Sequence, residues 1–103
     1  MLPDTLIQLD RKIWPIIKAL NEKGYMTYSC CEGHIGGNEK IYIMFSKSYK
    51  IKTATPEGVE YKKGLLIAKI NGKSDEAKKR NKRNLLNKIN EWVCNLENYT
   101  TEY

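Results

Sequence analysis

The run Ile41-Tyr-Ile-Met-Phe45 is apolar at every position, and it limits the possible fold more than any other part of the chain. It predicts a strand that is covered on both faces, or one that is covered on one face and partly occluded on the other. The 103 residues of the chain are enough for one domain with one hydrophobic core. We therefore expect residues 1–103 to form a single domain around this strand.

Two amphipathic segments flank the region that contains this strand. In the first, Asp10 is a candidate N-cap of a helix that runs to about Asn21, and Gly24 can adopt the left-handed conformation that ends it. In the second, Ser74 is the candidate N-cap of a helix that ends near Asn98. The apolar residues of both segments recur at helical spacing and predict buried stripes: Ile13, Ile16, Ile17 and Leu20 in the first, and Leu85, Leu86, Ile89, Trp92, Val93 and Leu96 in the second.

Three further stretches have the composition of strands. Tyr25–Cys30 contains aromatic residues and Thr, Leu65–Ile70 is mostly apolar, and Tyr49–Thr53 is a candidate fourth strand. Thr55-Pro-Glu-Gly58 has Pro and Gly at the positions typical of a type I turn. Strands this close in sequence pair mainly antiparallel. We therefore predict an α+β fold, with a three- or four-stranded, mostly antiparallel sheet and the N- and C-terminal helices packed on one face.

The chain carries a formal net charge of +6. This balance favours an anionic partner, namely nucleic acid, a nucleotide or an acidic protein surface, although a lysine-rich surface that only keeps the protein soluble gives the same balance. No apolar run approaches the roughly 18 residues of a membrane span, and the N-terminus lacks the basic and apolar segments of a signal peptide. Three cysteines, two of them adjacent, suit a reducing compartment better than a disulfide framework. We therefore expect a cytoplasmic protein.

A glycine-rich loop, Gly33-His-Ile-Gly-Gly-Asn38, follows the first predicted strand and contains the only histidine of the chain. Glycines permit positive φ and close approach of the backbone to a ligand, and successive N–H groups in such a turn can form an anion-binding nest. His34 and Lys40 would add donors to that site. The spacing matches neither the Walker nor the dinucleotide-binding fingerprint, so a flexible hairpin loop without a ligand is the alternative.

Two adjacent cysteines precede this loop. Cys30, Cys31 and His34 are residue types that bind zinc, and a nucleophilic Cys31 with His34 as its base is also conceivable. Adjacent residues on a strand point to opposite faces, however, and a four-ligand site would need Cys94 or a carboxylate from elsewhere. The favoured interpretation is that one of the cysteines packs inside as a small hydrophobe, and we expect no metal ion or cofactor.

The segment Lys73–Arg83 concentrates positive charge in the first half of the C-terminal helix. Two pairs of like charges, Lys78 with Lys82 and Lys79 with Arg83, are spaced i, i+4, and each pair costs roughly 0.2–0.5 kcal/mol. Cations in this half of a helix also gain nothing from its dipole. An anionic ligand would explain the arrangement, since arginine offers bidentate donors to phosphate. A solvated polar face is the alternative.

The region from Asp10 to Phe45 resembles the opening of a known enzyme family. Ser29-Cys-Cys-Glu-Gly-His34 follows a helix and a strand, and it is similar to the Ser-Ser-Cys-Ser-Gly-Arg motif of the third wybutosine-synthesis enzyme family, with Ser29, Cys31 and Gly33 at matching positions. That family methylates a modified guanosine in phenylalanine tRNA. The region is also similar to short bacterial and phage proteins with a Ser-Cys-x-Gly-His motif. The resemblance covers about the first half of the chain and implies the α+β architecture with a site at Ser29–His34.

Together these features predict a small basic binding module, rather than an enzyme, for a phosphorylated ligand that is a nucleotide or an RNA segment. By analogy with the phage proteins it would sequester a nucleotide or inhibit a host protein. The alternatives are a small RNA-modifying or thiol-dependent enzyme that uses Cys31 and His34, and a protein–protein adaptor; a homo-oligomer is compatible with each. The predicted ligand-binding residues are Ser29, Cys31, Gly33, His34, Gly36, Gly37, Lys40, Lys78, Lys79, Arg80, Lys82 and Arg83.

Overall fold

The computed structural model describes residues 12–99. Along this part of the chain the elements follow in the order α1, β1, β2, β3, β4 and α2. Their bounds are α1 Trp14–Glu22, β1 Thr27–Cys31, β2 Lys40–Phe45, β3 Val59–Lys62, β4 Leu65–Lys69 and α2 Asp75–Cys94. The α+β prediction is therefore confirmed.

Helix α1 ends as its sequence predicts, but it begins later than predicted. Pro15 lies in the first turn, where a missing N–H removes no intrahelical hydrogen bond. At the other end Gly24 has a φ of +95°, and the N–H groups of Gly24 and Tyr25 donate back into the last turn at 3.0 and 2.9 Å. These two bonds form a Schellman motif that ends the helix and turns the chain toward β1. The N-cap of α1 is Ile13, which forms no side-chain cap hydrogen bond. The prediction that Asp10, which lies outside the described residues, is the N-cap is therefore wrong.

Helix α2 begins at its predicted cap and ends earlier than expected. The hydroxyl of Ser74 accepts a hydrogen bond from the N–H of Ala77 at 3.1 Å, which satisfies one of the free donors of the first turn. The helix ends at Cys94 instead of near Asn98. The ammonium group of Lys23, in the turn after α1, donates to two carbonyls at this end, at 3.1 and 2.5 Å. Because this is a tertiary contact, helical periodicity in the sequence does not report it.

The strands form one antiparallel sheet in the order β1-β2-β4-β3. Strands β1 and β2 are a hairpin joined by residues 32–39, which we call the β1–β2 loop. Strands β3 and β4 are a hairpin joined by Lys63 and Gly64, whose φ values are +49° and +83°. Positive φ at both central residues is the signature of the two-residue type I′ turn, which matches the twist of the strands it connects.

The fourth strand is Val59–Lys62, and the prediction of a strand at Tyr49–Thr53 is wrong. The side chain of Tyr49 is buried, its hydroxyl accepts from the N–H of Met26 at 3.0 Å, and its carbonyl accepts from the hydroxyl of Tyr61 at 2.5 Å. Side-chain hydrogen bonds and ring packing therefore fix this segment in place of a strand ladder.

The predicted turn at Thr55–Gly58 is displaced by one residue. The N–H of Val59 donates to the carbonyl of Pro56 at 3.1 Å, so Gly58 is the third residue of the turn and not the fourth. Its φ of +86° excludes a type I turn, which has negative φ at that position, and is the value that a type II turn requires. Proline thus precedes the turn's central pair instead of belonging to it.

The buried side chains form one cluster between the two helices and one face of the sheet. Trp92 is 4% exposed and Ile89 is fully buried, and both share this cluster with Ile16 and Ile17. The prediction that the helices pack together on the sheet is confirmed. Cys30 packs against the same cluster, so one of the two adjacent cysteines does serve as a small hydrophobe.

The run Ile41–Phe45 is covered on one face only. Ile41, Ile43 and Phe45 are buried beneath the helices, whereas Tyr42 and Met44 alternate onto the opposite face. Met44 remains 41% exposed. The strand thus follows the second of the two arrangements that its composition allows, and the sheet has a face that the described helices do not cover.

Candidate functional site

A groove of about 710 Å³ lies between the β1–β2 loop and the first half of α2. Helix α2 lines it with one stripe of residues spaced i, i+3, i+4, i+7 and i+8. These residues are Lys79, Lys82, Arg83, Leu86 and Asn87. The other described wall consists of Lys12, His34 and Ile35. We call this the basic groove, because its charged lining residues are all cationic.

Two ion pairs hold the β1–β2 loop against the helix. Lys82 Nζ lies 2.7 Å from Glu32 Oε2, and both side chains are largely buried, with 12% and 9% exposed. Lys78 Nζ lies 3.1 Å from Glu39 Oε2 in a more open position. Each lysine of the predicted repulsive pair Lys78/Lys82 therefore faces a carboxylate of the loop. The repulsion expected from the helix alone is offset by these contacts, which connect the two walls of the groove.

Glu32 and Glu39 are both oriented by backbone N–H groups as well as by lysine. Glu32 Oε1 accepts from the N–H of Lys12 at 3.0 Å. Glu39 Oε2 accepts from the N–H of Gly36 at 2.9 Å. This bond and the hydrogen bond from Lys78 hold the pKa of the Glu39 carboxyl below its usual value, because both donors favour the charged form.

Lys79 and Arg83 have no ion pair with any residue in the range 12–99. They lie one turn apart on α2 and face the same groove as Lys82. Leu86 is buried and Ile35 is partly buried, so an apolar surface adjoins these two cations. The arrangement can bind an anionic group through side chains while it packs an apolar or aromatic group against Leu86 and Ile35.

The backbone N–H groups of the glycine-rich loop do not form the predicted anion-binding nest. The N–H of His34 donates to Asn38 O at 2.6 Å, and that of Gly37 donates to His34 O at 2.9 Å. The N–H of Gly33 donates to Cys31 Sγ at 3.4 Å, and that of Gly36 is used by Glu39. An anion in the groove would therefore be bound by lysine and arginine side chains.

The predicted loop residues have separate roles. His34 is exposed and lines the groove, so it is not a core residue. Gly33 is buried, with a φ of +84°, and a Cβ atom there would lie 2.5 Å from Ile70 Cδ1. Gly33 therefore packs closely against Ile70 and does not line the groove. Gly36 and Gly37 are exposed at the tip of the loop.

Eight of the twelve predicted site residues do not line the groove. Gly33, Gly36, Gly37 and Lys78 belong to the loop and to its ion pair with α2, and the other four are Ser29, Cys31, Lys40 and Arg80. Strand register pairs Ser29 with Met44 and Cys31 with Tyr42, which places both on the sheet face that points away from the helices. Lys40 is on that face as well, by alternation along β2. Arg80 is exposed on α2 but does not line the groove. The structure therefore does not bring Ser29, Cys31 and His34 together in one pocket.

Cys31 has partners other than the histidine. Its Sγ accepts from the N–H of Gly33 and from the side-chain amide of Asn38 at 3.6 Å, and the imidazole of His34 forms no hydrogen bond with it. Within residues 12–99, His, Cys, Asp and Glu side chains do not form a group of three that would suit a metal ion.

The sequence predictions do not include four residues that line the groove, namely Lys12, Ile35, Leu86 and Asn87. The sequence predicts Leu86 only as part of the buried stripe of α2, and it predicts no site role for Asn87. The spacing of Lys79, Lys82 and Arg83 contains the missing signal, since the same helical stripe continues to Leu86 and Asn87. The sequence analysis includes Glu32 only as part of a motif, although a carboxylate beside a glycine-rich loop can form an ion pair with a basic helix.

Comparisons of the chain with protein-family models, with curated proteins and with solved structures find no match. No helix within the described residues is long and apolar enough to cross a membrane. Fold and groove together define the class: an α+β protein with helices on one face of a four-stranded antiparallel sheet, and a cationic groove between its first hairpin loop and its last helix.

Proposed function

We propose that the protein is a binding module for a phosphorylated ligand, a nucleotide or an RNA segment, which it binds in the basic groove. One observation carries this proposal. Lys78 and Lys82 are paired with carboxylates, whereas Lys79 and Arg83 face the groove without an ion pair among the described residues. Two cations one turn apart, directed into a concave surface, suit a phosphate group better than they suit the stability of the helix.

The lining of the groove supports a division of the ligand into a charged and an uncharged part. Arg83 offers a planar, bidentate donor set to phosphate oxygens, and Lys79 adds a point charge. Leu86 and Ile35 offer apolar surface to a base or a ribose. His34 and Asn87 offer donors and acceptors at the exposed edge of the groove.

The geometry favours binding over catalysis. The candidate nucleophile Cys31 and the candidate base His34 do not share a pocket, because Cys31 pairs with Tyr42 on the opposite face of the sheet. A cysteine nucleophile needs its base within hydrogen-bond distance. The proposal therefore assigns the histidine to ligand contact and assigns no catalytic role to the thiol.

The experiment is a calorimetric titration of ATP and GTP into the parent protein and two double variants. Lys79→Ala with Arg83→Ala removes the two cations that face the groove without an ion pair. Arg80→Ala with Lys88→Ala removes the same two charges from the same helix outside the groove, and is the matched control. We expect the first variant to lose binding and the second to retain it, apart from a small effect of net charge.

Salt dependence provides a second measurement on the same variants. Phosphate contacts make affinity fall steeply as salt rises, and the slope should flatten in the groove variant but not in the control. Equal binding by both double variants would reject the groove as the site. Arg80, which the basic run alone would include among the ligand-binding residues, is thereby used to separate local contact from general charge.

A further inference from the structure

The sheet face that points away from the helices carries an apolar block. The register pairs Tyr42 with Ile67 and Met44 with Leu65 across β2 and β4, and successive outward residues on one strand are neighbours on that face. The four side chains are therefore contiguous. Met44 and Leu65 are 41% and 37% exposed. We call this surface, with Tyr28 beside it, the open sheet face.

Tyr28 owes its position to an irregularity in β1. Thr27 pairs with Phe45 and Ser29 with Met44, so Tyr28 is an extra residue in the ladder. Such bulges redirect a side chain from its normal position. Tyr28 is 78% exposed, and it lies next to the Ser29–Met44 pair at the edge of the apolar block.

The six tyrosines within residues 12–99 fall into two groups. Tyr25, Tyr49, Tyr61 and Tyr99 take part in edge-to-face or tilted ring contacts inside the protein. Tyr28 and Tyr42 have no ring contact with a described residue. Both belong to the open sheet face, where an aromatic face can stack against an external planar group.

Lysines border this surface at both ends. Lys40 and Lys69 are directly opposite each other on β2 and β4, a pairing that is unfavourable for like charges. At the other end Lys62 pairs with Leu65, and Lys63 follows it in the turn. None of these lysines has an ion pair with a residue in the range 12–99. One acidic residue, Glu60, also points to this face, where it pairs with Ile67.

We propose that the open sheet face binds single-stranded nucleic acid. Bases would stack on Tyr28 and Tyr42 and pack against Met44 and Leu65, while phosphates would contact the lysines at the two ends. At the rise of an extended strand, Lys40 and Met44 lie about 13 Å apart along β2. Stacking on aromatic side chains combined with a cationic border is the general mode of single-strand binding.

Charge selects this occupant over a second copy of the chain. Packing two such faces together would bring their lysines together in a protein whose net charge is already +6, and like charges across an interface are costly. With a polyanion in place of the second copy, the electrostatic interaction with these lysines is attractive. The surface lies on the other side of the sheet from the basic groove, so the inference goes beyond the proposed function and stands independently of it.

The test is a titration of a fluorescein-labelled oligouridine decamer, followed by anisotropy, with an RNA duplex of the same length for comparison. Tyr28→Ala should lower the affinity about 5- to 150-fold, which corresponds to the loss of one stacked base. Tyr28→Phe keeps the ring and should bind as the parent does. Because Tyr28 is exposed, both variants should have the melting temperature of the parent protein. The duplex should bind more weakly than the single strand.

Methyl spectra of the parent protein locate the oligonucleotide directly. Shifts at Met44, Leu65 and Ile67 on addition of the decamer support the open sheet face, whereas Ile35 and Leu86 report the basic groove. Unchanged affinity of Tyr28→Ala, with shifts confined to Ile35 and Leu86, overturns the inference and leaves the groove intact. Decamer binding that depends on Tyr28 in a protein that binds neither ATP nor GTP upholds the inference while the groove proposal fails.

Native mass spectrometry covers the competing occupant. A dimer that Met44→Glu abolishes, in a protein that does not bind the decamer, assigns this face to a second copy and overturns the inference. A monomer that binds the decamer supports it.

Discussion

Glu32 and Lys82 form an ion pair of 2.7 Å between the β1–β2 loop and α2, with 9% and 12% of their side chains exposed. The pair joins the end of β1 to the middle of α2, which are fifty positions apart in sequence. A largely buried pair contributes little net stability while intact, because desolvation offsets the attraction, but removing one partner leaves an uncompensated charge. Its role is therefore to fix the loop against the helix.

The first prediction follows from that asymmetry. Glu32→Gln should destabilise the fold by about 3–5 kcal/mol, because it leaves the ammonium group of Lys82 without its carboxylate in a site of low exposure. Glu32→Gln combined with Lys82→Met should recover most of that loss. Urea unfolding of both variants measures it. Glu39→Gln, at the more open pair with Lys78, is the control and should cost much less. Equal losses in the two single variants would contradict the difference in burial.

The second prediction concerns pH. The hydrogen bond from the N–H of Gly36 lowers the pKa of Glu39 most, and the hydrogen bond from Lys78 is the next largest cause. A carboxyl whose folded pKa lies below its unfolded value stabilises the fold fully above that unfolded value, and the contribution is lost as pH falls through the folded pKa. An NMR titration of the Glu39 carboxyl should therefore give a midpoint below the ordinary pKa of a glutamate side chain.

Lys78→Met tests the causes separately. It should raise the Glu39 midpoint only part of the way, because the bond from Gly36 remains. A midpoint at or above the ordinary pKa of a glutamate side chain in the parent protein, or no change in Lys78→Met, would show that the loop and helix do not make this contact in solution.

The third prediction separates two glycines that the motif alone treats alike. Gly33 and Gly36 have similar φ values, +84° and +86°. A Cβ at Gly33 would also lie 2.5 Å from Ile70 Cδ1, whereas one at Gly36 would have no atom within 4 Å. Gly33→Ala should lower the melting temperature far more than Gly36→Ala, which costs only the backbone strain of about 1–2 kcal/mol. Similar melting temperatures for the two variants would contradict the packing of Gly33.

Local rules predicted the helices and most of the sheet. The stripe Ile13–Leu20, the cap at Ser74 and the stop at Gly24 depend on neighbours in sequence, and all three are confirmed among the described residues. The strand at Tyr49–Thr53 was wrong because β composition there serves ring packing around Tyr49 instead of a ladder. The alternation of Val59 and Tyr61 with Glu60 and Lys62 is the pattern of the strand that takes its place in the sheet.

The candidate site was only partly predictable, for a geometric reason. The basic run and the glycine-rich loop do meet, but which residues face the groove depends on helix phase and strand parity. Lys79 and Arg80 are adjacent in sequence but point in different directions around the helix, so only Lys79 lines the groove. Alternation along the strands places Cys31 and Lys40 on the sheet face away from the helices. The ion pairs of Glu32 and Glu39 with α2 join distant segments, which no local pattern specifies.

The fourth prediction concerns His34. The side chain is exposed at the mouth of the basic groove, so His34→Ala should change the free energy of unfolding by no more than about 0.5 kcal/mol, as surface substitutions usually do. It should nevertheless weaken ATP or GTP binding, because a donor to the ligand is lost. Lys47→Ala, at an exposed residue outside the groove lining, is the control. Asn38 in the same loop is also exposed, but it is less suitable because its amide contacts Cys31. A thermal melt beside a calorimetric titration reads both effects. A large loss of stability without loss of binding would make His34 a structural residue of the loop and remove it from the ligand site.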